Sequence, residues 1–420
     1  MVFANPFSIL RTGRGVLTHI SQLTLSNFRN FVHLDLQLKS GVCVFFGGNA
    51  QGKTTILEAM YLLAIARSFR AENERELVNF KAAAVGEQAL VSGAIEKQDE
   101  RFSVYVGYQP QLKRGESKSG MSTVNGPLAE TTSFVDNRNV SVRKQIRVRR
   151  KPCTGTELVG LVGAVLFSAD DIELVYGSPA IRRRYLDILL SQSDSNYIKM
   201  LQRYRRVVQQ RNRVLKALKE RRANLDELDF WDDQLIKEGS GVIWQRNDAI
   251  GRLAIFATEH YKNLSDVNQI FAMTYLPSIP CGNDIGDTES IFKNRLNGVK
   301  ARELAQCSTA IGPHRDDVSL TVDQRDMGIF ASRGEARSVA LSLRLSEASY
   351  LSSAKGEEPI ILLDDVLSEM DRQRRIRVLQ KITAYEQAII TTTDQDVVEL
   401  HLGSGPDYFQ VLDGSVNNVT

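Results

Sequence analysis

Gly47-Gly48-Asn49-Ala50-Gln51-Gly52-Lys53-Thr54 fits G-x-x-x-x-G-K-[ST], the pattern of a loop that wraps phosphate. Each residue type has a physical reason. Backbone N–H groups can converge on an anion only where side chains do not intrude, hence Gly47 and Gly52. Lys53 supplies a point charge for the outer phosphates, Thr54 a hydroxyl for Mg²⁺, and Thr55 completes the candidate site. An ordinary glycine turn is the plain alternative. The flanks argue against it. Val42-Cys43-Val44-Phe45-Phe46 reads as a buried strand, and Ile56, Met60, Leu63 and Ala64 recur at helical spacing, so the loop opens a helix where anions bind.

The second chemical cluster lies far along the chain. Residues 359–371, PIILLDDVLSEMD, form a short apolar run ending in Asp364-Asp365. A buried strand that delivers a carboxylate at its C-terminal end is how phosphate-loop proteins hold Mg²⁺. Asp364 is the expected metal-side acid, and Asp365 is placed to orient or deprotonate an attacking water. Upstream, Ser332-Arg333-Gly334-Glu335 opens a long helix carrying Val339, Leu341, Leu343 and Leu345. A serine and a glycine at a helix N-terminus form another anion site. Thr391-Thr392-Thr393 follows a third apolar run, Ala388-Ile389-Ile390.

These residues need a scaffold, and the chain is long enough for one. Its 420 residues can bury a sizeable core, and 42% hydrophobic with 25% charged residues are ordinary values for a soluble protein. Cys43, Cys153, Cys281 and Cys307 are scattered without a C-x-x-C pair, which argues against zinc and disulfide frameworks. No run of apolar residues is long enough to span a membrane, and residues 1–18 read as an extension without a secretory signal. The expected compartment is the cytoplasm.

The net charge of +3 says less than its distribution. Residues 137–151 hold Arg138, Arg143, Lys144, Arg147, Arg149, Arg150 and Lys151 without an acid. Arg182-Arg183-Arg184 follows, and residues 196–223 carry Lys199, Arg203, Arg205, Arg206, Arg211, Arg213, Lys216, Lys219, Arg221 and Arg222 against Glu220 alone. Helix surfaces usually interleave signs, so segments this one-sided call for an acidic partner. DNA phosphate is the functional reading, with Arg149, Arg150, Arg205, Arg206 and Arg213 as candidate contacts. A solvated face is the bland one.

The order of elements then follows from periodicity. Alternation over residues 19–39 suggests a strand pair ahead of the phosphate loop, and similar alternation runs from about 87 to 108. Residues 110–139 read as loop or loose hairpin. From about 180 to 275 the pattern is helix after helix, with Tyr185, Leu189, Tyr197, Leu201, Tyr204 and Val208 as the apolar stripe, and strand character returns near 308.

A phosphate loop, an S-x-G-x turn opening a helix, then an apolar strand ending in Asp-Asp and an L-S-E-x-D turn is the order of ABC-type ATPases. In detail the chain resembles the bacterial RecF family of recombinational repair proteins. The resemblance rests on LTLSNFRNF (23–31), the phosphate loop and its helix, VLFSADDIELVYGSPAIRRRYLDILLSQ (165–192), IGPHRDD (311–317) and LLDDVLSEMD (362–371). It implies an α/β ABC-type head of mixed sheets with helices and an inserted, mainly helical arm. The expected divisions are an extension over 1–18, head segments over 19–175 and 306–420, and the arm over 176–305. It implies binding of ATP with Mg²⁺ and of DNA, slow hydrolysis and an ATP-dependent homodimer. By resemblance the partners are RecO, RecR and RecA at gapped DNA, with a contribution to the SOS response. Gly47 to Thr55, Asp364 and Asp365 map directly onto the family pattern; Ser332 and Gly334 match the signature turn as ATP-binding residues, and Arg333 and Glu335 depart from it, with Glu335 still expected to bind ATP by accepting from the ribose. A transporter ATPase would bring loop and signature much closer together, and an SMC protein would fill the gap with long heptad arrays. A DNA-binding module with a vestigial nucleotide site, or another SMC-like ATPase, is the alternative.

Overall fold

The computed structural model describes residues 17–98, 100–112, 140–265, 269–403 and 405–419. The extension apart from its last two residues, most of the 110–135 loop, and Arg138 lie outside them. Strands β1 (Thr18–Phe28) and β2 (Phe31–Gln37) form an antiparallel hairpin, and β3 (Gly41–Phe46) runs into the phosphate loop and its helix, Lys53–Ile65. Then β4 (Ala89–Lys97), β5 (Glu100–Leu112), β6 (Val140–Val148) and β7 (Lys151–Cys153) extend the hairpin into an antiparallel sheet ordered β2-β1-β4-β5-β6-β7.

The central sheet collects strands from three distant segments. After β8 (Ala164–Ser168) the chain leaves for its helices. It passes β9 (Phe271–Leu276), β10 (Asp317–Val322) and β11 (Arg325–Asp326), and returns through β12 (Ile360–Asp364), β13 (Gln387–Thr392), β14 (Asp407–Leu412) and β15 (Ser415–Asn418). The order is β15-β14-β3-β13-β12-β8, parallel except for β15. Near-continuous apolar runs make sense here, because a parallel sheet is covered on both faces. The period of two assigns the sides. Leu362, Ile389 and Phe45 pack with the phosphate-loop helix and the antiparallel sheet, whereas Val44, Ile361, Leu363 and Ile390 share a core with the helices. Buried Gln387 fastens the two sheets: its amide donates to the carbonyls of Ile20 (2.9 Å) and Lys39 (3.1 Å) and accepts from the Ile20 N–H (2.9 Å).

The helical part comprises Pro179–Ser193, Ser195–Lys219, Leu225–Leu264 and Ile285–Gln306. The 40-residue helix Leu225–Leu264 is about 60 Å long and packs on both Ser195–Lys219 and the later helix Arg333–Lys355. The expected helical run to 275 stops short. Phe271, Met273 and Tyr275 are buried while Ala272, Thr274 and Leu276 face out, so Phe271–Leu276 is a strand. It pairs with β10, which begins at Asp317 rather than near 308, and this pairing joins residues on both sides of the 305/306 division. Among the described residues no helix is long and apolar enough to cross a membrane, and the four cysteines are free thiols.

One member of the basic run is core. Arg211 is fully buried, and its guanidinium donates to Asp232 Oδ1 (2.6 Å), Glu303 Oε2 (2.6 Å) and Thr309 Oγ1 (3.0 Å). Its acidic partners are internal, so the expectation that the whole run seeks an external anion is corrected for this residue. Replacing one member of a buried ion pair leaves uncompensated charge and costs roughly 3–5 kcal/mol. Arg211→Ala should therefore lower the unfolding free energy by that order, read as a lower urea midpoint. A midpoint unchanged within error would contradict this placement.

Candidate nucleotide site

The loop between β3 and its helix is built from conformations that only small residues adopt. Gly47 has φ +151°, and a Cβ there would stand 2.3 Å from the Val411 carbonyl oxygen. Gly52 has φ +116°, and a Cβ would meet Asn30 Nδ2 at 2.7 Å and the Phe31 ring at 2.8 Å. Gly52 is also the N-cap of the helix, with no side-chain cap and no acid in the first turn. The first-turn N–H groups therefore keep their capacity for an anion, and the helix dipole favours one. Lys53 curls over the loop, donating to the Gly47 and Gly48 carbonyls at 2.7 Å each. Burial pushes its amine below the ordinary value, while Asp365 and Asp364 pull it back up.

The carboxylates arrive by sheet register. Asp364, at the end of β12, pairs with Thr391 of β13 on one side and Ser168 of β8 on the other, and Thr391 pairs with Phe45 of β3. One row therefore runs across the C-terminal edge of four strands, where α/β sheets place ligands. Thr54 Oγ1 donates to Asp364 Oδ1 at 2.8 Å, and Thr391 Oγ1 lies 3.0 Å from the same oxygen. Burial raises the Asp364 carboxyl above its usual range, opposed by the bonds from Thr54 and Thr391 and by the charge of Arg70. Asp365 sits in the left-handed region (φ 52°), and its Oδ1 is buried without a hydrogen-bond partner among the described residues. A left-handed backbone and an unpartnered buried carboxylate oxygen mark Asp365 as a candidate for a reacting group.

The donor set fits the expected groups. Among the described residues no cluster of three or more His, Cys, Asp or Glu could hold a metal alone. Thr54 and Asp364 offer two hard oxygens, which suits Mg²⁺ completed by phosphate oxygens and water. The glycine loop, the uncapped helix and Lys53 suit polyphosphate. Sequence reasoning passed over the brace behind them. Glu58 is fully buried on the loop helix and grips the Arg29 fork at 2.9 and 2.8 Å, with Ser68 on its other side. Arg29 lies in the turn between β1 and β2, so this contact fixes the loop helix to the antiparallel sheet. Only the arginine of NFRNF hinted at it.

The signature residues stand elsewhere. Ser332 caps helix Arg333–Lys355 in a capping box with Glu335: the Ser332 N–H donates to Glu335 Oε2 (2.8 Å), and the Glu335 N–H donates to Ser332 Oγ (3.3 Å). The Ser332 backbone N–H, and next the Ser332 hydroxyl, hold the Glu335 carboxyl below its ordinary value. The Glu335 carboxylate thus serves its own helix N-terminus, and the Ser332 hydroxyl is turned toward it. A Cβ at Gly334 would meet Arg374 Nη1 at 3.7 Å, an ordinary contact. Among the described residues no hydrogen bond or ion pair joins residues 332–335 to residues 47–55.

The candidate DNA contacts divide. Arg149 and Arg150 form the left-handed turn between β6 and β7 (φ 51° and 66°). Arg149 is gripped by both Glu100 oxygens (2.6 and 2.7 Å) and lies 4.6 Å over the Phe102 ring, whereas Arg150 is exposed and unpaired among the described residues. Arg205 donates to Asp187 Oδ2 (2.8 Å). Among the described residues exposed Arg206 has no partner, and exposed Arg213 has only a 3.4 Å contact with Gln210. Arg203, from the same run, is paired with Glu238 (2.7 Å).

Comparison with known proteins agrees with this geometry. Residues 19–403 match the family described as RecF/RecN/SMC N terminal domain. The chain is 38% identical over 384 residues to the DNA replication and repair protein RecF of Herpetosiphon aurantiacus, covering 90% of this chain and 94% of that one. It is 37% identical over 390 residues to the RecF of Roseiflexus castenholzii, covering 91% and 95%. The solved structure of the recombination mediator protein RecF-ATPrS in the RecFOR pathway has a TM-score of 0.82 at 30% identity, covering 97% of this chain and 99% of that one. An Smc head bound to the C-winged helix domain of ScpA shares the fold alone, with a TM-score of 0.50 at 14% identity and coverage of 96% and 97%. With its phosphate loop, its Asp-Asp strand and its helical arm in this order, the chain belongs to the RecF family of ABC-type ATPases.

Proposed function

We propose that this protein is an ATP-gated DNA-binding protein of recombinational repair. The observation that carries the reading is the separation of two candidate phosphate-binding clusters on the chain. Phosphate loop, Thr54, Asp364 and Asp365 converge at one sheet edge, while exposed Ser332 makes no bond to them. In the proposed assembly the signature of a second copy closes the site, so two identical sites form about a two-fold axis. The Ser332 hydroxyl and the dipole of its helix then approach the terminal phosphate from the side the loop leaves open.

The chemistry uses groups already in place. Lys53 leaves the Gly47 and Gly48 carbonyls for the outer phosphates. Thr54 and Asp364 would hold Mg²⁺, which supplies charge neutralisation when bound. Asp365 orients a water and takes its proton as the water oxygen bonds to the terminal phosphorus; the bridging P–O bond breaks, ADP leaves, and the phosphate that joined the subunits is released. Slow turnover of this kind makes ATP a timer for residence on DNA. Action at gapped DNA with RecO and RecR, help in loading RecA, a part in the SOS response and residence in the cytoplasm belong to the same reading, supported by the family relationship.

Assembly and DNA binding give two tests. Light scattering should find a dimer with ATP, most persistent in Asp365→Asn, and Ser332→Arg should block that dimer while leaving ATP binding intact. Equal dimerisation of Ser332→Arg and wild type would overturn the composite site. DNA affinity should fall steeply with salt and depend little on sequence. The triple change of Arg205, Arg206 and Arg213 to Ala should shallow the salt slope by about one unit per lost contact. An unchanged slope would return these residues to a solvated surface.

A further inference from the structure

Two motifs remain without a role in nucleotide chemistry: the arginine triple 182–184 and Gly312-Pro313-His314-Arg315-Asp316-Asp317. The fold brings them together. A cavity of about 210 Å³ lies between helices Pro179–Ser193, Ser195–Lys219 and Leu225–Leu264, and Arg183, Arg184, Arg205, Arg246 and His314 line it with Asp187. At about 30 Å³ per water, that is room for several waters or one tetrahedral oxyanion with companions.

The arginines of this region are not equivalent. Arg182 is consumed by structure: its fork grips Asp317 at 2.7 and 2.9 Å, and Nη1 donates to the Gly177 carbonyl at 2.9 Å. Arg246 is buried and fully engaged, donating to Asp187 Oδ1 (2.8 Å), the Pro313 carbonyl (2.7 Å) and Tyr197 Oη (3.1 Å). The other three keep free donors. Arg183 uses Nη1 on the Asp316 carbonyl (2.7 Å), Arg205 uses one nitrogen on Asp187, and Arg184 is exposed with no partner among the described residues.

The charges do not cancel. Arg183, Arg184, Arg205 and Arg246 stand against the carboxylates of Asp187 and Asp316, a surplus of two positive charges. Both acids are already occupied: Asp187 by Tyr197, Arg246 and Arg205, and Asp316 by Tyr275 and the Ser278 N–H. His314 adds no acceptor toward the cavity. Its Nε2–H donates to the Thr309 carbonyl (3.1 Å), so Nδ1 accepts from Tyr204 Oη–H (2.6 Å). Burial, then Arg315, Arg183 and Arg211, hold it down to about 4 against the Thr309 bond, which keeps the ring neutral. Arg183 is pushed below its ordinary value by burial and next by Arg246. Guanidinium charge thus exceeds carboxylate charge around this half-closed polar cavity.

We propose that this cavity is a second anion site, separate from the phosphate loop, which binds a phosphate group through the free N–H donors of Arg183, Arg184 and Arg205. Planar guanidinium forks match tetrahedral oxyanions, and two surplus charges match a phosphate dianion. A free phosphate and a phosphate of the DNA backbone present the same recognising chemistry.

Equilibrium dialysis with radiolabelled inorganic phosphate tests this on the full chain, with a non-hydrolysable ATP analogue saturating the phosphate loop. The expected result is uptake of one phosphate per chain, weakened at least about tenfold in Arg184→Ala, the loss of a charged hydrogen bond. Arg184 supports no other contact among the described residues, so Arg184→Ala should fold normally and retain its affinity for the analogue. Release of the phosphate by an oligonucleotide lacking terminal phosphates identifies the source as DNA backbone; retention identifies a free phosphate, and either supports the site. No uptake beside the analogue, or uptake that Arg184→Ala leaves unchanged, overturns the proposal. Loss of uptake in Lys53→Ala but not in Arg184→Ala would assign the phosphate to the loop and overturn it equally. Analogue affinity, measured in the same samples, reports on the nucleotide reading independently.

Discussion

The hydrogen bond from Thr54 to Asp364 is the contact on which the molecule turns. It joins residues at opposite ends of the sequence, and it exists only because β3, β13 and β12 lie side by side in register. A carboxylate withdrawn from water at that depth is costly unless hydrogen bonds replace its hydration. Thr54, at the start of the loop helix, and Thr391, near the end of β13, supply them. The apolar layers above and below the sheet hold those strands in place, and Gln387 and the Arg29–Glu58 brace fix the antiparallel sheet and loop helix against them. The fold is thus a device for holding three oxygens and an amine at one edge.

Arginine serves two opposite purposes in this chain. Arg211, Arg246 and Arg344 are enclosed by carboxylates: Arg344, midway along the signature helix, bonds Asp171 (2.6 Å) and Glu347 (2.7 Å). Burial of such pairs is energetically near neutral against apolar packing, whereas removing one partner is costly. Arg150, Arg206 and Arg213 remain outside, with no acidic partner among the described residues. Their charge faces solvent. The helix Ser195–Lys219 carries both kinds, separated by its two faces.

Much of the site is legible in local chemistry alone. The glycine positions, Lys53, the strand ending in Asp364-Asp365 and the serine that caps the signature helix all depend on neighbours a few residues away. The features that sequence does not announce depend on distance. Nothing near Arg211 in the chain signals that Asp232 and Glu303 enclose it, and Glu100 meets Arg149 only through pairing of β5 with β6. Phe271–Leu276 is masked by the long helix that precedes it, although its alternation is clear once β10 lies alongside. The cavity of Arg183 and Arg184 likewise needs three helices to exist.

Calorimetric titration of ATP with Mg²⁺ into wild type and Lys53→Ala addresses the central claim, that this sheet edge is a working nucleotide site. Wild type should bind clearly and Lys53→Ala should lose roughly 1.5–3 kcal/mol or more, since the amine carries the charge expected to meet the outer phosphates. Equal affinity in the two proteins would contradict it.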